Sequence, residues 1–114
     1  MNIRAVYILL ISLSLAFANS GKVSGKVIDS KTGSALAGVN VFLESTSYGA
    51  ATNEFGEYII NNIPPGNYTV KASYIGYASY KITNVRVSLD RTTTQNFKLS
   101  EAVIEGEEVV VLAE

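Results

Sequence analysis

From Lys22 onward the chain alternates apolar and polar residues in short runs, broken every several residues by Gly, Pro, Asn or Asp. A period of two with β-branched and aromatic enrichment predicts strands, and there is almost no period of 3.6 to predict helices. Lys22 to Ile28 is expected as a first strand, with Val23, Gly25 and Val27 on one face. Asp29-Ser30-Lys31-Thr32-Gly33 then turns the chain, Asp29 bonding the backbone ahead and Gly33 taking positive φ. Val39, Val41 and Leu43 alternate in a second strand, and Ala50 to Thr52 forms a short third.

Asn53-Glu54-Phe55-Gly56 is expected as a tight hairpin turn into a fourth strand, Glu57 to Ile60. Pro64 and Pro65 cannot donate to a ladder, so Ile63-Pro64-Pro65-Gly66 is a corner. Asn67 to Ile75 is the longest strand, with Tyr68, Val70, Ala72 and Tyr74 on one face. Ser79 to Leu89 follows, and its apolar positions change phase between Ile82 and Val85, which predicts a bulge at Thr83-Asn84. Thr93 to Leu99 closes the body with Phe97 and Leu99 inward. The expectation is therefore an all-β, seven-stranded antiparallel β-sandwich.

The ends differ from this body. Arg4, an apolar run from Ala5 to Leu15 and Ala16-Phe17-Ala18 read as a secretory signal peptide over residues 1–18. An apolar stretch of roughly 14 residues spans only about 21 Å as a helix, short of the ~30 Å hydrocarbon core. No other segment suggests a membrane span, and no cysteine follows the apolar run to carry a lipid. The organisation expected is thus 1–18 leader, 19–99 sandwich and 100–114 acidic linker carrying a strand.

Charge separates the last two segments. Asn19 to Leu99 holds eight Lys/Arg and five Asp/Glu, a net of +3, whereas Ser100 to Glu114 holds five Glu and no base. Neither value argues for nucleic acid, and no basic cluster is present. Within the acidic segment Val109-Val110-Val111-Leu112 is a continuous β-prone run, too short to cross a bilayer. Such a strand needs a partner edge, either on another protein or on this domain itself.

The chain has no histidine and no cysteine. It lacks the usual thiolate nucleophile, imidazole base and N/S zinc ligands, so no catalytic, metal or cofactor residue is assigned and an enzyme is not expected. There is no G-x-S-x-G elbow and no phosphate loop. Asn53-Glu54-x-x-Glu57 is explained by its turn better than by calcium, and Asn67-Tyr68-Thr69 by its strand better than by glycosylation. Tyr74, Tyr77 and Tyr80 cluster around a glycine turn as a possible ligand surface for carbohydrate or protein, with core and rim packing as the plainer account. A Lys26–Asn96 isopeptide bond assisted by Glu44 or Glu57 is disfavoured by the outward phase of both partners.

Several motifs resemble one family. Val23-Ser-Gly-Lys-Val-Ile-Asp, Gly38-Val-Asn-Val, Thr52-Asn-Glu-Phe-Gly-Glu-Tyr, Ile63-Pro-Pro-Gly-Asn-Tyr and Ile75-Gly-Tyr occur in the order seen in carboxypeptidase regulatory-like domains. The resemblance covers Lys22 to Leu99 and implies a transthyretin-like (prealbumin-like) sandwich of Greek-key type, with Tyr58 and Tyr68 filling its core. Peptidase activity does not carry over, because the zinc catalytic domain has no counterpart here. The leader, the sandwich and Glu107 to Ala113 together resemble the front of TonB-dependent outer-membrane receptors of the Bacteroidetes type. That resemblance implies a periplasmic domain followed by a TonB-box-like segment, Glu107, Glu108, Val109, Val110, Val111 and Leu112, that docks a TonB-type periplasmic protein. A plug and barrel would then follow, so the chain is expected to be the front of a longer receptor. The alternative is a stand-alone exported module that binds carbohydrate or an outer-membrane protein.

Overall fold

Two sheets pack face to face in the computed structural model, which describes residues 19–113; the expected leader lies outside the described residues. β1 (Gly21–Asp29) is the centre of the first sheet. β4 (Glu57–Ile63) lies antiparallel on one side of it. β7 (Thr92–Thr94) and β8 (Phe97–Leu99) run parallel to it, one after the other, on the other side. The second sheet has the order β3 (Gly49–Ala51), β2 (Asn40–Leu43), β5 (Gly66–Ser73), β6 (Ser79–Val87) and β9 (Glu108–Leu112).

Val23, Val27, Tyr58, Ile60, Ile63, Phe97 and Leu99 from the first sheet meet Val41, Leu43, Val70, Ala72, Ile82, Val85 and Val87 from the second. Phe97 is the largest of the fully enclosed side chains, and its burial contributes about 2–3 kcal/mol. Tyr58 belongs to this core, whereas Tyr68 is only half buried at its margin and donates its hydroxyl to the Pro64 carbonyl at 2.6 Å.

Two bulges keep the apolar residues inward where strict alternation would expose them. Tyr68 pairs with Val85 and Val70 with Ile82, so Thr83 and Asn84 together face Thr69, as the phase change in the sequence requires. A matching irregularity lets Asn61 and Asn62 face Lys22 alone, which turns both Ile60 and Ile63 to the core. In each bulge an asparagine takes the left-handed conformation, Asn62 at φ 58° and Asn84 at φ 59°. Asparagine tolerates that region better than most side chains.

The architecture departs from the expected seven antiparallel strands in three ways. There are nine strands among the described residues, and β1–β7, β1–β8 and β6–β9 are parallel. Asn53–Gly56 is a tight turn, with Asn53 Oδ1 accepting from Phe55 and Glu57 N–H, but it is a corner between sheets and not a hairpin. The chain is drawn across because β1 pairs with β4 and Val27 N–H donates to the Gly56 carbonyl at 2.8 Å.

The expected strand from Thr93 to Leu99 is broken at Gln95-Asn96. There the Gln95 carbonyl turns toward β1 to accept from the Tyr58 hydroxyl, and the Asn96 side chain, not a main-chain carbonyl, accepts from Lys26 N–H at 2.9 Å. Only a glycine fits beneath this break. A Cβ on Gly25 would stand 1.8 Å from the Gln95 carbonyl oxygen.

Candidate functional site

The acidic C-terminal segment leaves β8 at Leu99 and crosses one end of the sandwich. It is tethered there by Ala78 N–H to the Ser100 carbonyl at 2.9 Å and Ala102 N–H to the Gly76 carbonyl at 3.0 Å. It then enters the second sheet as β9, pairing in parallel with β6 from Ser79↔Glu108 to Thr83↔Leu112. The pairing is closed at its two ends by Ser79 N–H to the Glu107 carbonyl (3.0 Å) and Ala113 N–H to the Thr83 carbonyl (2.8 Å). Of the two partner edges open to the valine run in sequence, the one it occupies is its own domain's.

β9 is nonetheless weakly embedded. It is the fifth strand of a sheet whose opposing layer is only three columns wide, and none of its five residues is buried. Val109 and Val111 are 39 % exposed, Val110 58 % and Leu112 67 %. Among the described residues its outer edge pairs with no strand. Glu107, Glu108, Val109, Val110, Val111 and Leu112 therefore present a continuous apolar edge strand with an acidic N-terminal end.

That acidic end is gripped by basic side chains. Lys71 on β5 and Lys81 on β6 are direct cross-strand partners, and Glu108 reaches both, at 3.1 Å and 3.7 Å. Glu44, just past β2, binds Lys81 at 2.8 Å. The bond to Glu44, then the field of Glu108, raises the Lys81 ammonium above its ordinary value, and Lys71 lowers the Glu108 carboxyl.

The tyrosines pack against the body and are not presented from it. Tyr80 meets Phe97 edge-on across the sandwich with ring centroids 5.8 Å apart. Tyr74 and Tyr77 lie against each other at 5.6 Å, both half buried against the core. Tyr77 also donates its hydroxyl to Asp29 Oδ2 at 2.6 Å, while Asp29 Oδ1 accepts from Lys31 N–H at 2.8 Å and Thr32 N–H at 3.0 Å. These donors, Tyr77 first, lower the Asp29 carboxyl to about 2, and the same bond pushes the Tyr77 phenol up to about 12. A groove of about 330 Å³ runs beside this turn, between Lys31-Thr32 and Glu101-Val103. Lys26 and Asn96 are joined only through the hydrogen bond noted above, from Lys26 N–H to the Asn96 side-chain Oδ1, and both residues are exposed.

This sandwich, with an extra edge strand in its second sheet, matches a known domain over most of the chain. The model of the CarboxypepD_reg-like domain matches residues 23–111, and so includes most of β9. The chain belongs to that family. It is 32 % identical over 102 residues to the TonB-dependent transporter Oar of Myxococcus xanthus, covering 85 % of this chain and 10 % of the transporter. The chain thus spans about a tenth of the length of that relative.

Solved structures share the fold. A chain of a type II cohesin–X-dockerin complex from Acetivibrio cellulolyticus superposes with a TM-score of 0.61 and 25 % identity, over 77 % of this chain and 64 % of that one. The Bacillus anthracis TIE protein gives 0.57 with 18 % identity, over 74 % and 17 %.

Proposed function

We propose that this CarboxypepD_reg-like domain is a non-catalytic, periplasmic front domain of a TonB-dependent outer-membrane transporter. Residues 1–18 serve as its export signal, 19–99 as the sandwich body and 100–114 as the acidic segment that carries the docking strand. That strand, Glu107 to Leu112, is offered to the TonB-type protein that transmits energy, and the sandwich fixes where it is offered. The observation that carries this reading is β9 itself: an apolar edge strand without a buried residue, in a chain similar to a TonB-dependent transporter. Strands of this kind bind by adding to a partner's sheet, main-chain bonds supplying affinity and alternate side chains specificity.

The test is a backbone NMR titration of residues 19–114 with the periplasmic C-terminal domain of the host's TonB. Resonance changes confined to Glu107–Ala113 and the facing residues of β6 are expected. Saturating TonB without any change in that segment rejects the docking role.

A further inference from the structure

We propose that Lys71 and Lys81 form an electrostatic latch that keeps β9 closed on β6, so that the strand must leave its own sheet before a partner takes it. The inference rests on the reading of β9 as the docking strand and adds how that strand is regulated.

Three observations carry it. First, side-chain burial holds β9 only weakly, because every residue of the strand is exposed. Elements with few buried apolar contacts open locally at a small fraction of the global unfolding free energy. Second, the two lysines are direct cross-strand partners, an arrangement that is unfavourable between like charges. Glu108 relieves it by contacting both, and departure of β9 leaves two ammonium groups facing each other with only Glu44 beside them. The sheet therefore draws β9 back electrostatically. Third, both ends of the pairing are closed by a main-chain bond, Ser79–Glu107 and Ala113–Thr83, and the ion pairs cluster at the Glu108 end. Loss of the Glu108 contacts leaves the acidic end, like the other, held by main-chain bonds alone.

A partner that needs the inner edge of β9 then sees an affinity reduced by the fraction of molecules in which the strand is open. Both lysines lie outside the docking segment, so their removal raises that fraction without changing what the partner reads. The side chains are only partly shielded, at 23–33 % exposure, so salt weakens the latch as well.

The decisive experiment compares residues 19–114 with the Lys71→Gln/Lys81→Gln variant by amide hydrogen exchange, and titrates both with the TonB C-terminal domain. A free peptide of residues 100–114 is titrated in parallel as a strand with no latch. The latch predicts about tenfold faster exchange across β9 in the variant, with Val41 and Val70 unchanged, and a similar acceleration of the parent chain in 0.5 M salt. It also predicts that the variant binds TonB up to about tenfold more tightly than the parent chain, and that the peptide, which has no sheet to leave, binds at least as tightly as the variant. Unchanged β9 exchange overturns the latch, and so does equal affinity of parent, variant and peptide, which would mean that TonB adds to the outer edge of a closed β9. If none of the three binds, the docking reading falls, and the exchange rates still decide the latch.

Discussion

Tyr77 and Asp29 stand 48 positions apart in the chain, and the phenol of the first donates to Oδ2 of the second at 2.6 Å. The bond fastens the turn after β1 to the loop between β5 and β6, so it joins the two sheets at one end of the sandwich. It also depresses the acidity constant of one partner and raises that of the other, which makes its contribution readable from pH.

Asp29, lowered to about 2 in the fold against 3.8 ordinarily, stabilises the domain fully above about pH 4, and this is lost as pH falls through 2. Tyr77, raised to about 12 against 10, stabilises it fully below pH 10, and this is lost as pH rises through 12. Tyr77→Phe should accordingly be less stable than the parent on a plateau between about pH 4 and 10. The gap should narrow in acid and again in strong base. Urea unfolding across that range measures it, and a gap independent of pH contradicts the assignment.

Gly25→Ala is expected to cost about 3 kcal/mol or more, because its Cβ would overlap the Gln95 carbonyl oxygen and the backbone of both strands must shift. Gly33→Ala, in open space, meets only the strain of φ +76° and should cost about 1 kcal/mol. Thermal unfolding of the two variants side by side gives the comparison. Similar losses would mean that the break at Gln95-Asn96 is free to move.

What was legible in the sequence followed from single strands and single turns. The Thr83-Asn84 bulge could be read because inward positions 82 and 85 differ by three, and the Asp29 turn because an aspartate two residues before a lysine amide has one obvious acceptor role. Pairing was less legible, because alternation sets which face is buried and not which neighbour a strand takes. Hence the corner at Asn53–Gly56 resembled a hairpin, and the parallel partners of β1 left no local trace. Thr52 was missed as a structural residue for the same reason. At the candidate site, the residues of β9 were legible as an unsatisfied strand. Their attachment to β6 depends on Lys71 and Lys81, which are unremarkable in a one-dimensional reading.

Thr52 makes a prediction of its own. Its buried hydroxyl donates to the Leu36 carbonyl and accepts from Val39 N–H at 2.9 Å, pinning the loop before β2. Thr52→Val keeps the shape and removes both bonds, leaving the buried Val39 N–H and the partly buried Leu36 carbonyl without this partner at a cost of about 2 kcal/mol. Thr52→Ser, which keeps the hydroxyl, should lose less than half as much. Equal losses in denaturant unfolding would assign the effect to the methyl group instead.

The packing of Tyr80 separates a structural ring from a ligand-stacking one. Tyr80→Ala removes the edge-on contact with Phe97 and opens space at the margin of the core, so a loss of about 2–3 kcal/mol is expected. A ring held out for sugar stacking would tolerate the same change within about 0.5 kcal/mol, as surface substitutions do. Val110→Thr, on the outer face of β9, is the matched control and should fall within that smaller range, because Val110 is 58 % exposed. Denaturant midpoints of the two variants decide between these accounts. A stable Tyr80→Ala protein would return the aromatic cluster to consideration as a ligand surface, whereas the expected loss assigns Tyr80 to holding β6 against Phe97 of the opposite sheet.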